Sequence, residues 1–497
     1  MTPQLPIIIV VVPLILAVLN AVVGQRYLNS GFTFALAAMS VCLACSVLML
    51  MDIRVNGALD YHLGGWPPPV GIVYAVDSMN AFMPVLISFI GFIAVFHAKR
   101  SVAAELPDRI PLFWCLFLLL TTGLLGIALT GDLFNLFVFL EVASLTGYAL
   151  VAVGNKKATV AGIRYLILGS IGASFYLLGV GYLYIATGTL NMANLAELLP
   201  RLYHTKTVLL GFSFILIGLG VKSALFPMHI WLPDAYTYAP SAVSVMVAPL
   251  VTKVMAYAVI RVMFTVFDPE FSITILGVTD ILVWLGILAM VYGAVMALSQ
   301  TDFRRMLSYV IIAEIGYILG GAGVANTTAL KGAVFHIIND AAMMACLFLT
   351  AGLIFYQKGG TKIENFKGVF NTMPITAAVF TTGALAVIGV PPMCGFFSKW
   401  YLLLGGIQAG QWGFVAALFF CTLVNIALFF RVFDRGLFSH ARGTGNPAIS
   451  PVPNGAAHSG DAPVIMLFPA VLAAVAVILL GVFNQVIIND VLDFNIF

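Results

Sequence analysis

Residues 220–240 read GVKSALFPMHIWLPDAYTYAP, and this stretch decides the fold. It starts as an apolar helix, carries Lys222 where hydrocarbon should tolerate no charge, and then meets Pro227, Pro233 and Pro240. A proline inside a helix leaves the carbonyl four residues earlier without its donor. Pro227 thus frees the carbonyl of Ser223. In hydrocarbon such a group is tolerated only where protein or a water-filled cavity satisfies it. The expectation is a membrane-crossing helix broken and locally hydrated beside a buried lysine. Residues 386–400, AVIGVPPMCGFFSKW, repeat the device: Pro391 and Pro392 free the carbonyls of Val387 and Ile388, and Lys399 follows.

The composition agrees. Of 497 residues 62% are hydrophobic and 9% charged, with a mean hydropathy of +1.07. That describes an all-α polytopic membrane protein and excludes a soluble enzyme. The N-terminal apolar run leads directly into further spans, so it reads as a first transmembrane helix and not as a leader. The net charge of +3 reflects topology and gives no reason to expect a nucleic-acid partner. All six cysteines lie in apolar segments; Cys42 and Cys45 form a C-x-x-C on a helix in lipid and read as packing residues. No phosphate-binding glycine loop, metal-spaced Cys/His set or nucleophile–base constellation occurs. Neither a cofactor nor a catalytic role is expected.

Hydropathy predicts fourteen spans, near 4–24, 31–51, 77–96, 111–129, 133–153, 163–187, 207–226, 242–266, 273–297, 306–323, 332–356, 374–404, 412–433 and 464–483. Residues 441–463, rich in Gly, Pro, Ser and Asn, read as a flexible linker. Loops on the N-terminal side carry five basic residues (Arg54, Arg201, Lys206, Arg261, Lys331), and loops on the other side carry fifteen. The fifteen belong in the cytoplasm, which puts both termini outside. The two breaks are five spans apart, an odd offset that inverts direction. LEVASLTGYAL around Glu141 in span 5 has a counterpart in AEIGYILG around Glu314 in span 10. Spans 4–8 and 9–13 therefore read as inverted five-helix repeats, each with a broken helix. The implied division is residues 1–110 (spans 1–3), 111–267 (first repeat), 268–435 (second repeat) and 436–497 (cytoplasmic linker and span 14).

Six charges lie inside these spans: Lys222, Lys253, Lys399, Glu141, Glu314 and Asp340. Each costs about 3 kcal/mol mid-membrane if unrelieved, and their formal sum is zero. Glu141 and Lys222, each the lone charge of its span, are natural partners. Arg304 is ten residues from Glu314, roughly 15 Å along a helix, too far to neutralise it. His336 lies one turn before Asp340 on the same helical face. His229 follows the first break and faces either a cavity or a loop, while Asp77, Asp132 and Asp280 fall near span ends and read as interfacial. A balanced buried set of this kind reads as a charge relay, with structural glue as the alternative.

Several stretches carry a family resemblance: LGGWPPPVGIVYAVDSMNAF (63–82), GDLFNLFVFLEVASLTGYALV (131–151), RYLILGSIGASFYLLGVGYLYIATGTLNMANL (164–195), the run from GVKSALFPMHIW to AYAVIRV (220–262) and GVPPMCGFFSKW (389–400). The chain resembles the antiporter-like subunits shared by respiratory complex I, membrane-bound hydrogenases and Mrp-type multisubunit sodium/proton antiporters, and is most similar to the D-type subunit of the last. The resemblance implies a hydrated mid-membrane axis. In it Glu141 and Lys222 match the charge pair of spans 5 and 7, Lys253 the connecting lysine of span 8, His336 the histidine of span 11 and Lys399 the terminal group of span 12.

Val310 stands where many relatives have histidine, Glu314 where they often have glutamine, and Asp340 and Met344 where histidine and lysine are common. The second half-channel thus has fewer bases and more acids, which leaves open whether it conducts protons as in those relatives or favours a cation such as sodium. The implied function is a proton-translocating subunit of a sodium/proton antiporter in a bacterial or archaeal cytoplasmic membrane. Its proton pathway would be Glu141, Lys222, Lys253, Glu314, His336, Asp340 and Lys399. Its partners would be other membrane subunits, protons, sodium and the lipid bilayer. The alternatives are a proton-pumping subunit of a complex I-like oxidoreductase or hydrogenase, and an assembly scaffold.

Overall fold

The computed structural model describes residues 4–437, 460–494 and 496. Among them are twelve helices long and apolar enough to cross a membrane. The two remaining predicted spans are broken. Span 7 is split into Lys206–Ser223 and Leu232–Tyr238, and span 12 into Pro374–Ile388 and Cys394–Gln408. All fourteen expected spans thus have a counterpart. Most of the predicted linker, residues 441–459, lies outside the described residues.

The breaks form where the prolines demand them. The first half of span 7 ends at Ser223, and Ala224 follows in the left-handed region at φ 58°. The indole of Trp231 returns to donate to the Val221 carbonyl at 3.0 Å. In span 12 the helix ends on Gly389, whose φ of 94° few residues but glycine adopt. The Val387 carbonyl, which the sequence leaves without a donor, accepts from Lys399 Nζ at 2.5 Å. A side-chain cation here replaces the missing backbone N–H.

Polarity sorts the helices into layers. Span 8 (Ser241–Arg261) is buried along its whole length, as are nearly all of span 10 (Phe303–Gly323) and the central turns of span 11 (Thr327–Lys358). Span 11 packs on span 8, span 10 and the second half of span 12. Peripheral helices turn large apolar side chains outward: Val18 on span 1, Ile167 on span 6, Trp284 on span 9 and Leu423 on span 13. Lipid is the solvent that suits such a surface. Lys253, Glu314 and Asp340 therefore lie on the most enclosed helices, whereas the helices of Glu141, Lys222 and Lys399 also turn apolar side chains outward, among them Leu145, Ile217 and Trp400.

One short β element, which hydropathy does not register, follows span 2. Leu59–His62 and Val73–Val76 pair as an antiparallel hairpin after span 2. Asp77, at its end, takes Arg261 Nη1 at 2.5 Å. Arg261 is thus the last residue of the span 8 helix and not a loop cation. Asp132 caps the N-terminus of span 5 by accepting from Asn135 N at 2.8 Å. Burial raises its pKa, against the two backbone N–H groups of Asn135 and Phe134 that lower it. Cys42 donates to the Ile9 carbonyl at 3.3 Å, a packing contact between spans 1 and 2.

Candidate functional site

The expected pair forms between spans 5 and 7. Lys222 is the penultimate residue of its half-helix, and its ammonium lies 3.4 Å from Glu141 Oε1. It also donates to Ser144 Oγ at 2.6 Å and Tyr148 Oη at 3.0 Å. Glu141, Ser144 and Tyr148 are spaced i, i+3 and i+7, which lines them up on one face of span 5. The Tyr148 hydroxyl reaches this position because residue 169 is glycine; a Cβ there would lie 1.8 Å from it. The pair is asymmetric: the Lys222 side chain is 3% exposed and that of Glu141 27%.

A second cluster joins spans 8, 10, 11 and 12. Lys253 Nζ meets Asp340 Oδ2 at 2.7 Å, with both side chains fully buried. The ammonium also donates to the Ala248 carbonyl at 3.2 Å. His336 Nε2 meets Glu314 Oε2 at 2.5 Å, again with neither side chain exposed. The other ring nitrogen, Nδ1, lies 2.8 Å from Ser398 Oγ. Lys399, the next residue, holds the Val387 carbonyl and lies 5.0 Å from the Tyr317 ring centroid. The expectation grouped His336 with Asp340 on one helical face. Across the helices they take different partners, Glu314 for the histidine and Lys253 for the aspartate.

Polar atoms without partners gather around this second cluster. Glu314 Oε1, Asn339 Oδ1, Thr252 Oγ1 and both Asp340 oxygens have no hydrogen-bond partner among the described residues. Buried polar atoms in proteins are nearly always satisfied, by water where protein does not serve. This arrangement suits water within the bilayer's depth. A chain of aromatic rings leads away from the first cluster: Tyr148 and Tyr165 with ring centroids 4.4 Å apart, Tyr165 stacked on Trp231 at 4.0 Å, and Tyr236 5.9 Å from Trp231.

Four further groups lie outside these two clusters. Asp234, in the second half of span 7, takes Arg164 of span 6 at 2.9 Å and Arg305 of span 10 at 3.3 Å. His229 lines a cavity of about 340 Å³ with these three residues, its ring grouped with those of Phe226 and Tyr292, the three centroids 4.8–5.4 Å apart. Of the two settings left open for it, the cavity is the one realised. Arg304, counted as a loop cation, is buried; it donates to the Ala239 carbonyl at 3.2 Å and to Ser241 Oγ. His97 on span 3 is fully buried, with both ring nitrogens unpartnered among the described residues. The Asp234 pairing was hidden because its arginines come from helices distant in sequence.

Comparison with known proteins shows the family and the fold. Residues 130–425 match the family model described as NADH:quinone oxidoreductase/Mrp antiporter, TM. The chain is 42% identical over 496 residues to NADH-quinone oxidoreductase subunit N of Desulforudis audaxviator, covering 99% of each. It is 35% identical over 365 residues to the D-type subunit of the Na(+)/H(+) antiporter of Alkalihalophilus pseudofirmus, covering 73% of this chain and 72% of that one. Among solved structures, it superposes on a chain of the membrane-bound sulfane sulfur reductase, an archaeal respiratory membrane complex, with a TM-score of 0.87 and 31% identity over 98% of this chain and 96% of that one. A chain of the Mrp complex of Dietzia sp. DQ12-45-1b gives 0.86 and 25% over 99% and 96%. With its broken helices and buried acid–base contacts, this multi-pass membrane protein belongs to the NADH:quinone oxidoreductase/Mrp antiporter transmembrane family.

Proposed function

We propose that the chain is a proton-translocating subunit of a multi-subunit membrane complex. The proton pathway runs from Glu141 and Lys222 to Lys253, then Asp340, Glu314 and His336, and ends at Lys399. One observation carries the reading: two lysines inside spans each meet a carboxylate from another helix, at 3.4 and 2.7 Å. A buried lysine keeps its proton while the carboxylate is close and charged, and sheds it when that partner moves or is neutralised. Intramembrane ionisable groups are functional by default. Spans 4–8 and 9–13 act as two inverted units, residues 1–110 and 436–497 flank them, and both termini face outward.

In the antiporter reading, the proton flux is exchanged for sodium within an Mrp-type assembly. The match to the D-type subunit of a sodium/proton antiporter supports it. A second reading, proton pumping in a redox-driven complex, has its own support in 42% identity along the whole length of an oxidoreductase subunit N. The similar solved chains come from an archaeal respiratory membrane complex and from an Mrp complex, which favours further membrane subunits as partners under either reading.

The test is to purify the complex and identify its subunits, then record proton movement in inverted vesicles under a sodium gradient and under quinone reduction. Sodium-driven movement selects the antiporter, and quinone-driven movement the pump. Intact assembly with no proton movement under either drive would leave a scaffold and contradict the proposal.

A further inference from the structure

We propose that Ser398 is a positioning residue for His336: its hydroxyl sets which imidazole nitrogen carries the proton, and so the direction in which His336 and Glu314 share it. The inference rests on the proton-carrying reading of the axis and deepens it. His336 is held at both nitrogens, by Glu314 Oε2 at Nε2 (2.5 Å) and by Ser398 Oγ at Nδ1 (2.8 Å). A neutral imidazole has one donor and one acceptor, and an imidazolium has two donors. When the hydroxyl donates into Nδ1, the ring proton must sit on Nε2, facing Glu314. When the ring takes a second proton at Nδ1, the hydroxyl must accept, and its own hydrogen needs another acceptor. The Gly395 carbonyl lies 3.4 Å away, in line for that role. One hydroxyl rotation therefore serves both charge states.

The other groups around the imidazole do not touch Nδ1. Glu314 and Tyr317 come from span 10, the latter ring-to-edge at 5.3 Å. Lys253 comes from span 8, Asp340 from the histidine's own helix and Lys399 from span 12, and all three are charged groups of the same cluster. Ser398 is thus the lever on the far side of the ring. It is also one residue from Lys399, whose ammonium caps the broken helix at Val387. Any shift of the half-helix Cys394–Gln408 moves both together, so the state of the break and the proton position on His336 are mechanically linked.

The test uses the assembled complex in inverted vesicles, with transport recorded against pH. Ser398→Ala removes the acceptor that the charged imidazole needs. It should lower transport about tenfold and move the acid limb of the profile about one unit toward lower pH. Ser398→Thr keeps the hydroxyl and should retain the native profile. Ser398→Cys keeps the volume with a poor hydrogen bonder and should behave like Ser398→Ala; it serves if the alanine variant fails to fold. Native rate and profile in the alanine or cysteine variant would overturn the inference, as would a threonine variant that assembles but matches alanine. A Lys222→Ala control separates the two levels. If it is silent while Ser398→Ala is normal, only the role of Ser398 falls. If it transports at full rate, the proton-carrying reading falls with it.

Discussion

The two charge clusters relieve the same problem in different surroundings. Lys222 meets Glu141 beside two hydroxyls, and the carboxylate stays 27% exposed. Lys253 meets Asp340, and His336 meets Glu314, with all four side chains at 0%. The first cluster has one acid, one base and an open side. The second has two acids, is enclosed on every side, and leaves several oxygens unpartnered. The difference separates stability from transport. An enclosed ion pair cannot lose one member cheaply, because the survivor has no bulk water to turn to. At the first pair the buried Lys222 keeps the Ser144 and Tyr148 oxygens when Glu141 is lost.

This contrast orders the expected effects. Asp340→Ala strands the Lys253 ammonium in an enclosed setting and should cost about 3–5 kcal/mol, read as a large fall in the thermal midpoint of the purified complex. A loss no greater than that of the matching variant at Glu141 would erase the contrast. Glu141→Gln leaves the Lys222 ammonium with the Ser144 and Tyr148 oxygens and an amide oxygen beside it, and should cost about 1–3 kcal/mol, yet lower proton transport at least tenfold. If instead the complex fell apart, the first cluster would be glue. Tyr148→Phe removes one of three polar contacts to Lys222 while Ser144 remains, and should slow transport about threefold to tenfold. Asp234→Asn loosens an outer contact to two partly exposed arginines and should cost about 1 kcal/mol or less. That small effect should vanish at high salt.

What could be read from sequence follows the same division. The breaks were legible because Pro227, Pro391 and Pro392 state their chemistry locally. The Glu141–Lys222 pair was legible because each is the lone charge of its span. Partners within the second cluster were not, because they depend on the rotational phase of four helices that are apolar all round. Hydropathy carries no phase there. His336 was placed with Asp340 by spacing along one helix, whereas packing gave it Glu314 and Ser398 from two others. Ser398 itself was invisible, a common residue beside a conspicuous lysine. Arg261 and Arg304 were counted with the loops because a charge at a helix end reads alike whether it faces water or the interior. The hairpin at Leu59–His62 was missed since two four-residue strands barely register beside spans of twenty or more residues.

The central claim is that buried ammonium groups carry the protons, and Lys222→Ala tests it most directly. Proton movement should be measured in inverted vesicles holding the fully assembled variant complex, against wild type at equal amounts. The account predicts transport lowered to background with the complex's composition unchanged. Wild-type proton flux through an assembled Lys222→Ala complex would contradict it.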